Sequence, residues 1–422
     1  MDAMIPAFLR PHIATLTTLL ERHLRTDANY LLHGGFWLTV GQVVSIIAGF
    51  SLALAFGNLV PKEVFGNYKF VFSLAGLFAT ISLTAMGSAV TQAVARGYDG
   101  ALAEGLRTYL WWSIPSVIAT GAGAAYYFWN GNIEIGTSLL IVAVCAPLLS
   151  GFNLYSSFLQ GKKDFRRSTI YGFFLSTVSP LIMVGLILAG ARYSVPLFIA
   201  VYYFSMVALS IYFHFQTVTI YKPTTRADPE TLRYGTHLSF INVLGRIAAY
   251  VDKVLVFHFL GAAPLAVYAF AAAPPQYVMR FNGIFKTLAL PKLAERDIAT
   301  LKQTLPRKMA LHFLAAAVVA AVYIALAPTF FRLLFPQYLD AVLYSQALGL
   351  VILSAPGMWM GQTLIAHMRK WELYVVNIIN PLFKMGLFVA LIPFFGIWGA
   401  IAATLGSNVM GVFLSVWVFR RL

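Results

Sequence analysis

The sequence predicts an all-α polytopic membrane protein, and three of its features carry that prediction. Twelve apolar stretches fill the chain from Phe36 onward, each of about the twenty residues that cross a hydrocarbon core about 30 Å thick. Apolar residues make up 59% of the chain and charged residues only 11%, whereas soluble domains carry about 25% charged residues. The polar gaps between the stretches are too short to hold a soluble catalytic domain. The chain should therefore consist almost entirely of membrane spans.

The twelve predicted spans follow one another closely, with short loops between most of them. The bounds given below are those of the apolar runs, because a sequence locates the ends of a helix only to within a few residues. The single cysteine, Cys145, lies inside the fourth span, so an intramolecular disulfide is excluded. The predicted spans are 36–59, 70–92, 108–129, 137–160, 168–190, 195–216, 236–260, 265–288, 309–331, 342–366, 373–394 and 398–419.

Positive charge is distributed unevenly between the two sides of this map. The N-terminal tail, the even-numbered loops and the C-terminus hold 21 of the 30 lysines and arginines, while the odd-numbered loops hold only Lys62, Lys69, Arg192 and Arg332. Because such residues are retained on the cytoplasmic side, both termini are predicted to be cytoplasmic and the protein to lie in the cell inner membrane. The net charge of +15 should then contact anionic lipid, and no nucleic-acid partner is expected.

Residues 1–30 precede the first span and are predicted to form a cytoplasmic amphipathic segment. Ile13, Leu16, Leu20 and Leu24 recur at helical spacing, with arginines nearby. This pattern favours a short helix on the membrane surface, and the alternative is a frayed tail. A cleavable signal peptide is not predicted, because the first apolar span is too long and begins too late.

One of the two longest segments between spans, residues 217–235, divides the chain into two sets of six spans. It is polar, contains Asp228 and Pro229, and is predicted to be a cytoplasmic linker between an N-terminal six-helix bundle, 31–216, and a C-terminal one, 236–422. The two sets resemble each other weakly at an offset of 200 positions. Each begins on the same side of the membrane, which is the parallel repeat of one transporter architecture.

Charged residues inside spans are predicted only in the C-terminal half. A charge at the bilayer centre costs about 2.5–3.5 kcal/mol, so these residues should face one another or a watery cavity rather than lipid. Lys286 lies near the end of its span and is expected to snorkel to the interface. The six charged residues are Arg246, Asp252, Lys253, Arg280, Lys286 and Lys384.

Helical spacing places several polar residues on shared faces with these cations. A single acid can neutralise one or two cations but not five, so an excess of positive charge should remain. A cationic cavity suits an anionic substrate, especially a phosphate, and the alternative is interhelical ion pairing through Asp252. The predicted substrate-binding residues are Asn242, Arg246, Tyr250 and Lys253 on span seven, Arg280 on span eight, and Asn380 and Lys384 on span eleven.

Asp252 and a pair of prolines are predicted to serve conformational change. Asp252 is the only acid deep within a predicted span, which makes it the candidate for coupling to H+ or Na+, or for holding a neighbouring cation. Pro274 and Pro275 adjoin in span eight and remove two helix donors, so they are predicted to form a hinge, with static curvature as the alternative. No catalytic residue, metal or cofactor is predicted.

Three stretches of the chain resemble the polysaccharide (Wzx-type) lipid-linked oligosaccharide flippases. Residues 59–97 resemble their first two spans, residues 248–278 their seventh and eighth spans with the Asp–Lys pair, and residues 392–411 their last hairpin. The usual glycine before Tyr268 is replaced by Val267. The order and spacing of these stretches fit over nearly the whole chain.

The resemblance implies the multidrug/oligosaccharidyl-lipid/polysaccharide (MOP) exporter fold, with twelve transmembrane helices in two six-helix bundles that form a V, as in MATE transporters. It implies a secondary transporter rather than an enzyme, which moves a polyprenyl-pyrophosphate-linked glycan from the inner to the outer leaflet by alternating access. The product would serve polysaccharide or O-antigen biosynthesis. The implied partners are the lipid-linked oligosaccharide, the lipid bilayer, and a polysaccharide polymerase with its chain-length machinery.

Three other functions fit parts of the pattern. An ion-coupled multidrug exporter of the same fold would want an intramembrane carboxylate for cationic drugs, and none is predicted in the N-terminal half. A peptidoglycan-precursor flippase would have two further spans and cations in that half. A membrane-embedded glycan-modifying enzyme would need catalytic acids, histidines or a large outer loop, and the predicted outer loops are short.

Overall fold

The structure, a computed structural model, describes residues 28–226, 228–280, 289, 293–367 and 369–421. Among these residues, side chains are described from Val43 onward, except those of residues 229, 231, 232, 234, 238, 241, 242, 370 and 420. The secondary structure of these residues is helical. The surface helix predicted within residues 1–30 lies outside the described residues, and so does Lys286.

Nine helices cover the first six predicted spans, because three of those spans are each divided in two. The helices are α1 (Ala28–Leu59), α2 (Lys62–Ala79), α3 (Met86–Ala95), α4 (Ala101–Trp112), α5 (Ile114–Trp129), α6 (Ile133–Phe152), α7 (Leu154–Gly161), α8 (Phe165–Leu188) and α9 (Val195–Tyr221).

The last six predicted spans correspond to six further helices and two short 3-10 segments, Pro336–Tyr338 and Leu350–Gly357, among the described residues. The helices are α10 (Pro229–Leu260), α11 (Ala262–Arg280), α12 (Ile298–Leu334), α13 (Ala341–Gly349), α14 (Met358–Ala366) and α15 (Lys370–Arg421).

Wherever their residues are described, the twelve predicted spans thus coincide with helices, and residues 281–288 of the eighth span lie outside that part. In the described part of the chain, six helical stretches are long and apolar enough by themselves to cross a membrane. These are Ile133–Gly161, Phe165–Leu188, Val195–Tyr221, Ile298–Leu334, Ala341–Ala366 and Trp371–Phe419.

The last of these stretches contains two spans, because α15 folds back on itself at Gly396. That residue has a φ of 56°, which glycine adopts without steric penalty. The two arms then approach closely, since a Cβ on Gly399 would lie 2.2 Å from the carbonyl oxygen of Leu391. Spans eleven and twelve are therefore an antiparallel hairpin.

The break between α2 and α3 is stabilised from the other half of the chain. The backbone amide of Ala85, at the start of α3, donates to the hydroxyl of Ser239 on α10 across 3.0 Å. Amides in the first turn of a helix have no acceptor within the helix. Ser239 therefore satisfies a donor that the break exposes and fixes α10 against α3.

A tight seam joins α10 to α2 along much of their length. The rings of Phe70 and Phe257 stack 3.7 Å apart. Gly76 leaves room for the ring of Tyr250, which would lie 2.4 Å from a Cβ at that position. The two halves of the chain are thus in direct contact through these two helices.

One end of the molecule is closed by polar contacts between the halves. We call it the outer end, after the side to which the charge bias assigns it. Asn58 donates to the carbonyl of Leu334 across 2.8 Å, and Gln337 donates to the carbonyl of Asn58 across 2.8 Å. Lys62 pairs with Asp340 at 2.8 Å. Phe65 and Phe270, whose centroids are 4.7 Å apart, close the space beneath these contacts.

The opposite, inner end holds the segment that joins α9 to α10. It covers residues 222–228, which is shorter than the predicted linker, 217–235, because both flanking helices extend beyond their apolar runs. The segment is fixed to the N-terminal half: Gly100 donates its amide to the carbonyl of Arg226 across 3.0 Å. Arg96 pairs with Asp228 at 2.8 Å.

Candidate functional site

Asp252 is buried on α10, on the side that faces α11, and is held by two donors. The ammonium of Lys253 lies 3.2 Å from each of its carboxylate oxygens. The hydroxyl of Tyr268, on α11, donates to Oδ2 across 3.1 Å. Consecutive helical residues point about 100° apart, so the long side chain of Lys253 must bend back to reach its neighbour. Asp252 thus joins α10 to α11.

Lys384 contributes a second cation from α15. It interacts electrostatically with both Asp252 and Lys253, and its ammonium lies 5.4 Å from the ring centroid of Phe388. One turn earlier, the Oδ1 atom of Asn380 is buried without a hydrogen-bond partner among the described residues. A buried acceptor of this kind is available to a ligand that carries a hydroxyl group.

Lys69 contributes a third cation that the sequence did not indicate. It lies in the third turn of α2, about 10 Å along the helix from Lys62, and it repels Lys253 electrostatically. Its ammonium lies 5.0 Å from the ring centroid of Phe65. Lys69 thus lies on the same helix as the start of the second predicted span, one residue before that span begins.

Lys69 lies on this helix because α2 starts before the apolar run. The apolar run begins at Phe70, but the helix begins at Lys62, directly after Pro61, and a proline commonly precedes or opens a helix. Val64, Phe65 and Tyr68 are apolar residues at helical spacing before Phe70. Their spacing could have predicted that the helix begins before the apolar run.

We call Lys69, Lys253 and Lys384 the lysine cluster. Asp252 is the acid that faces it, so two positive charges remain unneutralised when all four groups are ionised. Five ion pairs occur among the described residues, and Asp252–Lys253 is the one that lies within predicted spans. These side chains therefore concentrate positive charge in a largely buried region, where electrostatic interactions are stronger than in bulk water.

Arg246 lies apart from the lysine cluster, two helical turns away along α10, or about 10 Å. Its side chain is exposed and interacts electrostatically with Tyr109 on α4. Arg246 therefore faces the N-terminal half across open space, on the inner side of the cluster.

Arg280 is separated further. Its guanidinium lies 4.8 Å from the ring centroid of Tyr277, at the last residue of α11 and about 27 Å along that helix from Ala262. The structure thus brings Lys253 and Lys384 together with Asp252, but not Arg246 or Arg280.

The remaining predicted polar residues of α10 are Tyr250 and Asn242. Tyr250 is half-buried against Gly76 and lies close to Tyr202 of α9. Asn242 lies on α10, and its side chain is outside the described part of the structure.

The prolines of α11 do not interrupt the helix, which continues from Ala262 to Arg280. Pro275 is buried, and Pro274 lines a cavity. The hinge remains a prediction.

That cavity has a volume of about 500 Å³ and lies between α1, α11 and α12, with α2 at its outer part. Its wall is apolar, and Lys69 is the one charged side chain that lines it among the described residues. Typical of the wall are Ile46, Phe50, Phe56, Tyr277 and Phe330.

Comparison with solved structures gives the same architecture. A multidrug resistance transporter of the MATE family, in an inward-facing conformation, has a TM-score of 0.69 at 13% identity, over 92% of this chain and 98% of that one. An outward-facing MATE transporter has a TM-score of 0.64 at 14% identity, over 93% and 95% of the two chains. A MOP superfamily transporter from Pyrococcus furiosus has a TM-score of 0.61 at 14% identity, over 93% and 95%.

Comparison of sequences identifies the family. No curated protein matches the chain. Residues 31–295 match the family described as polysaccharide biosynthesis protein, which confirms the resemblance seen in the sequence, and the fold neighbours confirm the predicted MOP fold. The chain is a multi-pass membrane protein that belongs to the polysaccharide biosynthesis protein family.

Proposed function

We propose that this MOP-type transporter is a flippase that moves a polyprenyl-pyrophosphate-linked glycan from the inner to the outer leaflet. The lysine cluster is the observation that carries the proposal. Lys253 on α10 pairs with Asp252, and Lys69 on α2 and Lys384 on α15 each interact electrostatically with Lys253. A pyrophosphate would supply the negative charge that this cluster lacks, through charge-assisted hydrogen bonds.

The arrangement also suggests a sequence of contacts. Arg246 is exposed on the inner side of the cluster, so the anion would meet its guanidinium first and then pass to the lysines. When phosphate oxygens bind Lys253, Asp252 loses a partner and can accept a proton or a sodium ion instead. The coupling ion and the substrate would thereby compete for one lysine, which links their movements.

The proposal is tested by reconstitution of the purified protein in vesicles with a fluorescent polyprenyl-pyrophosphate-linked oligosaccharide. Flipping is measured as the fraction of label protected from an impermeant quencher. Lys69→Ala, Lys253→Ala and Lys384→Ala should each slow flipping at least about tenfold, since each removes a charge-assisted contact worth about 1.5–3 kcal/mol. Arg307→Ala, which removes an exposed arginine at the inner end of α12, is the control and should flip normally. Normal flipping by all three lysine variants would contradict the proposal.

A multidrug exporter of the same fold is the second candidate, since MATE transporters are among the fold neighbours. Cationic drugs would need unpaired acids, whereas Asp252 is paired with Lys253 and also interacts with Lys384. Transport of cationic dyes that Lys253→Ala leaves unchanged would favour this alternative. The cation at Lys69 fits a peptidoglycan-precursor flippase better than the sequence suggested, but the family match supports polysaccharide substrates.

The same proposal includes an orientation and partners. Both termini would lie in the cytoplasm and the protein in the inner membrane, where it would supply a polysaccharide polymerase and its chain-length machinery. Cysteines introduced at Asp164 and Arg226 should react with an impermeant maleimide only after the cells are opened. Reaction in intact cells would reverse the orientation.

A further inference from the structure

The cavity between α1 and α11 is elongated and apolar. It extends along α1 from Ile46 to Phe56 and along α11 from Ala269 to Val278, which corresponds to about 15 Å of helix. Its volume of about 500 Å³ suits a short stretch of a lipid chain rather than a complete one.

Small residues form bays in two facing walls of the cavity. Gly49 and Ala53 on α1, and Ala269 and Ala273 on α11, line it at a spacing of one turn, so the bays lie about 6 Å apart along each helix. A chain with methyl branches could fill such bays, whereas an unbranched chain would leave them empty and lose contacts.

Lys69 connects this cavity with the lysine cluster. It lines the cavity wall and lies close enough to Lys253 to repel it. A molecule with its apolar part in the cavity could therefore place an anionic head between Lys69 and Lys253. The cavity is therefore apolar along most of its wall and adjoins the lysine cluster at Lys69.

We propose that this cavity binds the first isoprenoid units of the lipid carrier, next to its pyrophosphate, while Lys69 holds the phosphate nearest to the tail. This inference rests on the proposed function and adds a binding site for the lipid part of the substrate. Recognition would then depend on the branched tail as well as on charge, which excludes straight-chain phospholipids of the surrounding bilayer.

The test uses the full chain in lipid nanodiscs and a farnesyl pyrophosphate analogue with a diazirine on its tail. After illumination, mass spectrometry should locate the label on peptides of α1 or α11. Unlabelled farnesyl pyrophosphate should compete with the probe, and phosphatidylglycerol should not. Lys69→Ala should abolish the preference for farnesyl pyrophosphate over farnesol.

Variants that fill the bays provide the decisive comparison. A Cβ on Gly49 would have only the Tyr277 hydroxyl within 4 Å, at 3.7 Å, so Gly49→Leu should fold with its side chain in the cavity. Gly49→Leu and Ala273→Leu should each weaken labelling about tenfold or more, the change expected when a branched apolar group loses its burial. Gly185→Leu is the matched control, because Gly185 is a helical glycine on α8 with open space around it. Melting temperatures identify any variant that has lost its fold. If one of the two bay variants is unfolded, the labelling of the other one tests the inference.

Each outcome separates this inference from the proposed function. Labelling that phosphatidylglycerol prevents equally well would make the cavity a bilayer-lipid site and overturn the inference. Labelling that neither bay variant weakens would overturn it too, and normal glycan flipping by those variants would leave the proposed function intact. Failure of the unaltered protein to flip any lipid-linked glycan would contradict the proposed function, whatever the cavity binds.

Discussion

The hydroxyl of Ser345, on α13, donates a hydrogen bond to the carbonyl oxygen of Ala271 on α11 across 2.7 Å. Ala271 lies four residues before Pro275, which has no amide proton to offer that carbonyl. Ser345 is fully buried, and its hydroxyl also bonds to the hydroxyl of Tyr323. A neighbouring helix thus supplies the donor that the proline removes, which is how helices tolerate proline where water is absent.

This relationship predicts a non-additive pair of substitutions. Ser345→Ala should lower the free energy of unfolding by about 1–3 kcal/mol, because it leaves a buried carbonyl without a donor. Pro275→Ala returns an amide to that carbonyl, so Ser345→Ala should cost much less in its presence. Denaturation of the four proteins in detergent measures the coupling. Strictly additive effects would mean that Ser345 acts independently of the proline.

Asp252→Asn should impair transport, since it removes the negative charge opposite the lysine cluster and leaves Lys253 without its ionic partner. The variant should flip more slowly and lose any dependence of flipping on pH or on Na+. Tyr268→Phe is the matched control: it removes the other donor to Asp252 but keeps the charge, so its ion dependence should persist. Unchanged transport and unchanged ion dependence in Asp252→Asn would remove this residue from the mechanism.

Arg246→Ala should abolish glycan export, and Arg246→Lys should restore only part of it, because lysine lacks the planar fork of donors that guanidinium offers to phosphate. Surface glycan is measured beside the amount of protein in the membrane. Both variants should accumulate normally, since Arg246→Ala removes an intramembrane charge and so lowers the cost of insertion, while Arg246→Lys leaves the charge unchanged. Loss of the protein from the membrane would instead assign Arg246 to folding.

Lys62 and Asp340 should stabilise closure of the outer end. Both side chains are partly exposed, so the pair is worth about 0–1 kcal/mol and less at high salt. Asp340→Lys should raise the rate at which a cysteine at Ala269 reacts with a soluble maleimide by up to about fivefold, the factor that 1 kcal/mol allows. The exchange Lys62→Asp with Asp340→Lys should return the rate to normal. Equal rates in the unaltered protein, in Asp340→Lys and in the double exchange would show that the Lys62–Asp340 pair does not contribute to closure of the outer end.

The helices were predictable because membrane insertion depends on the length of apolar runs, which a sequence displays directly. The described parts of the predicted spans coincide with helices even where a break divides a span, as between α2 and α3. The break between α2 and α3 was not predictable, because the hydroxyl that accepts from Ala85 belongs to Ser239, more than 150 residues away.

The candidate site was predictable only in part. Periodicity identified Lys253, Lys384 and Asp252 as intramembrane charges, but it cannot say which helices adjoin or at what depth two residues meet. Arg280 therefore seemed equivalent to Lys253, although the two lie at different depths. Lys69 was missed because hydropathy describes the apolar run and the helix extends eight residues beyond it.

The contacts of residues 222–228 with the N-terminal half imply that the two halves do not need a covalent link in order to stay together. Arg96 and Asp228 would still meet if the peptide were cut between Arg226 and Asp228, and Ser239 would still bind Ala85. The two fragments, expressed as separate genes, should therefore find each other and assemble in register. The covalent bridge between them would then matter for the order of synthesis rather than for the finished molecule.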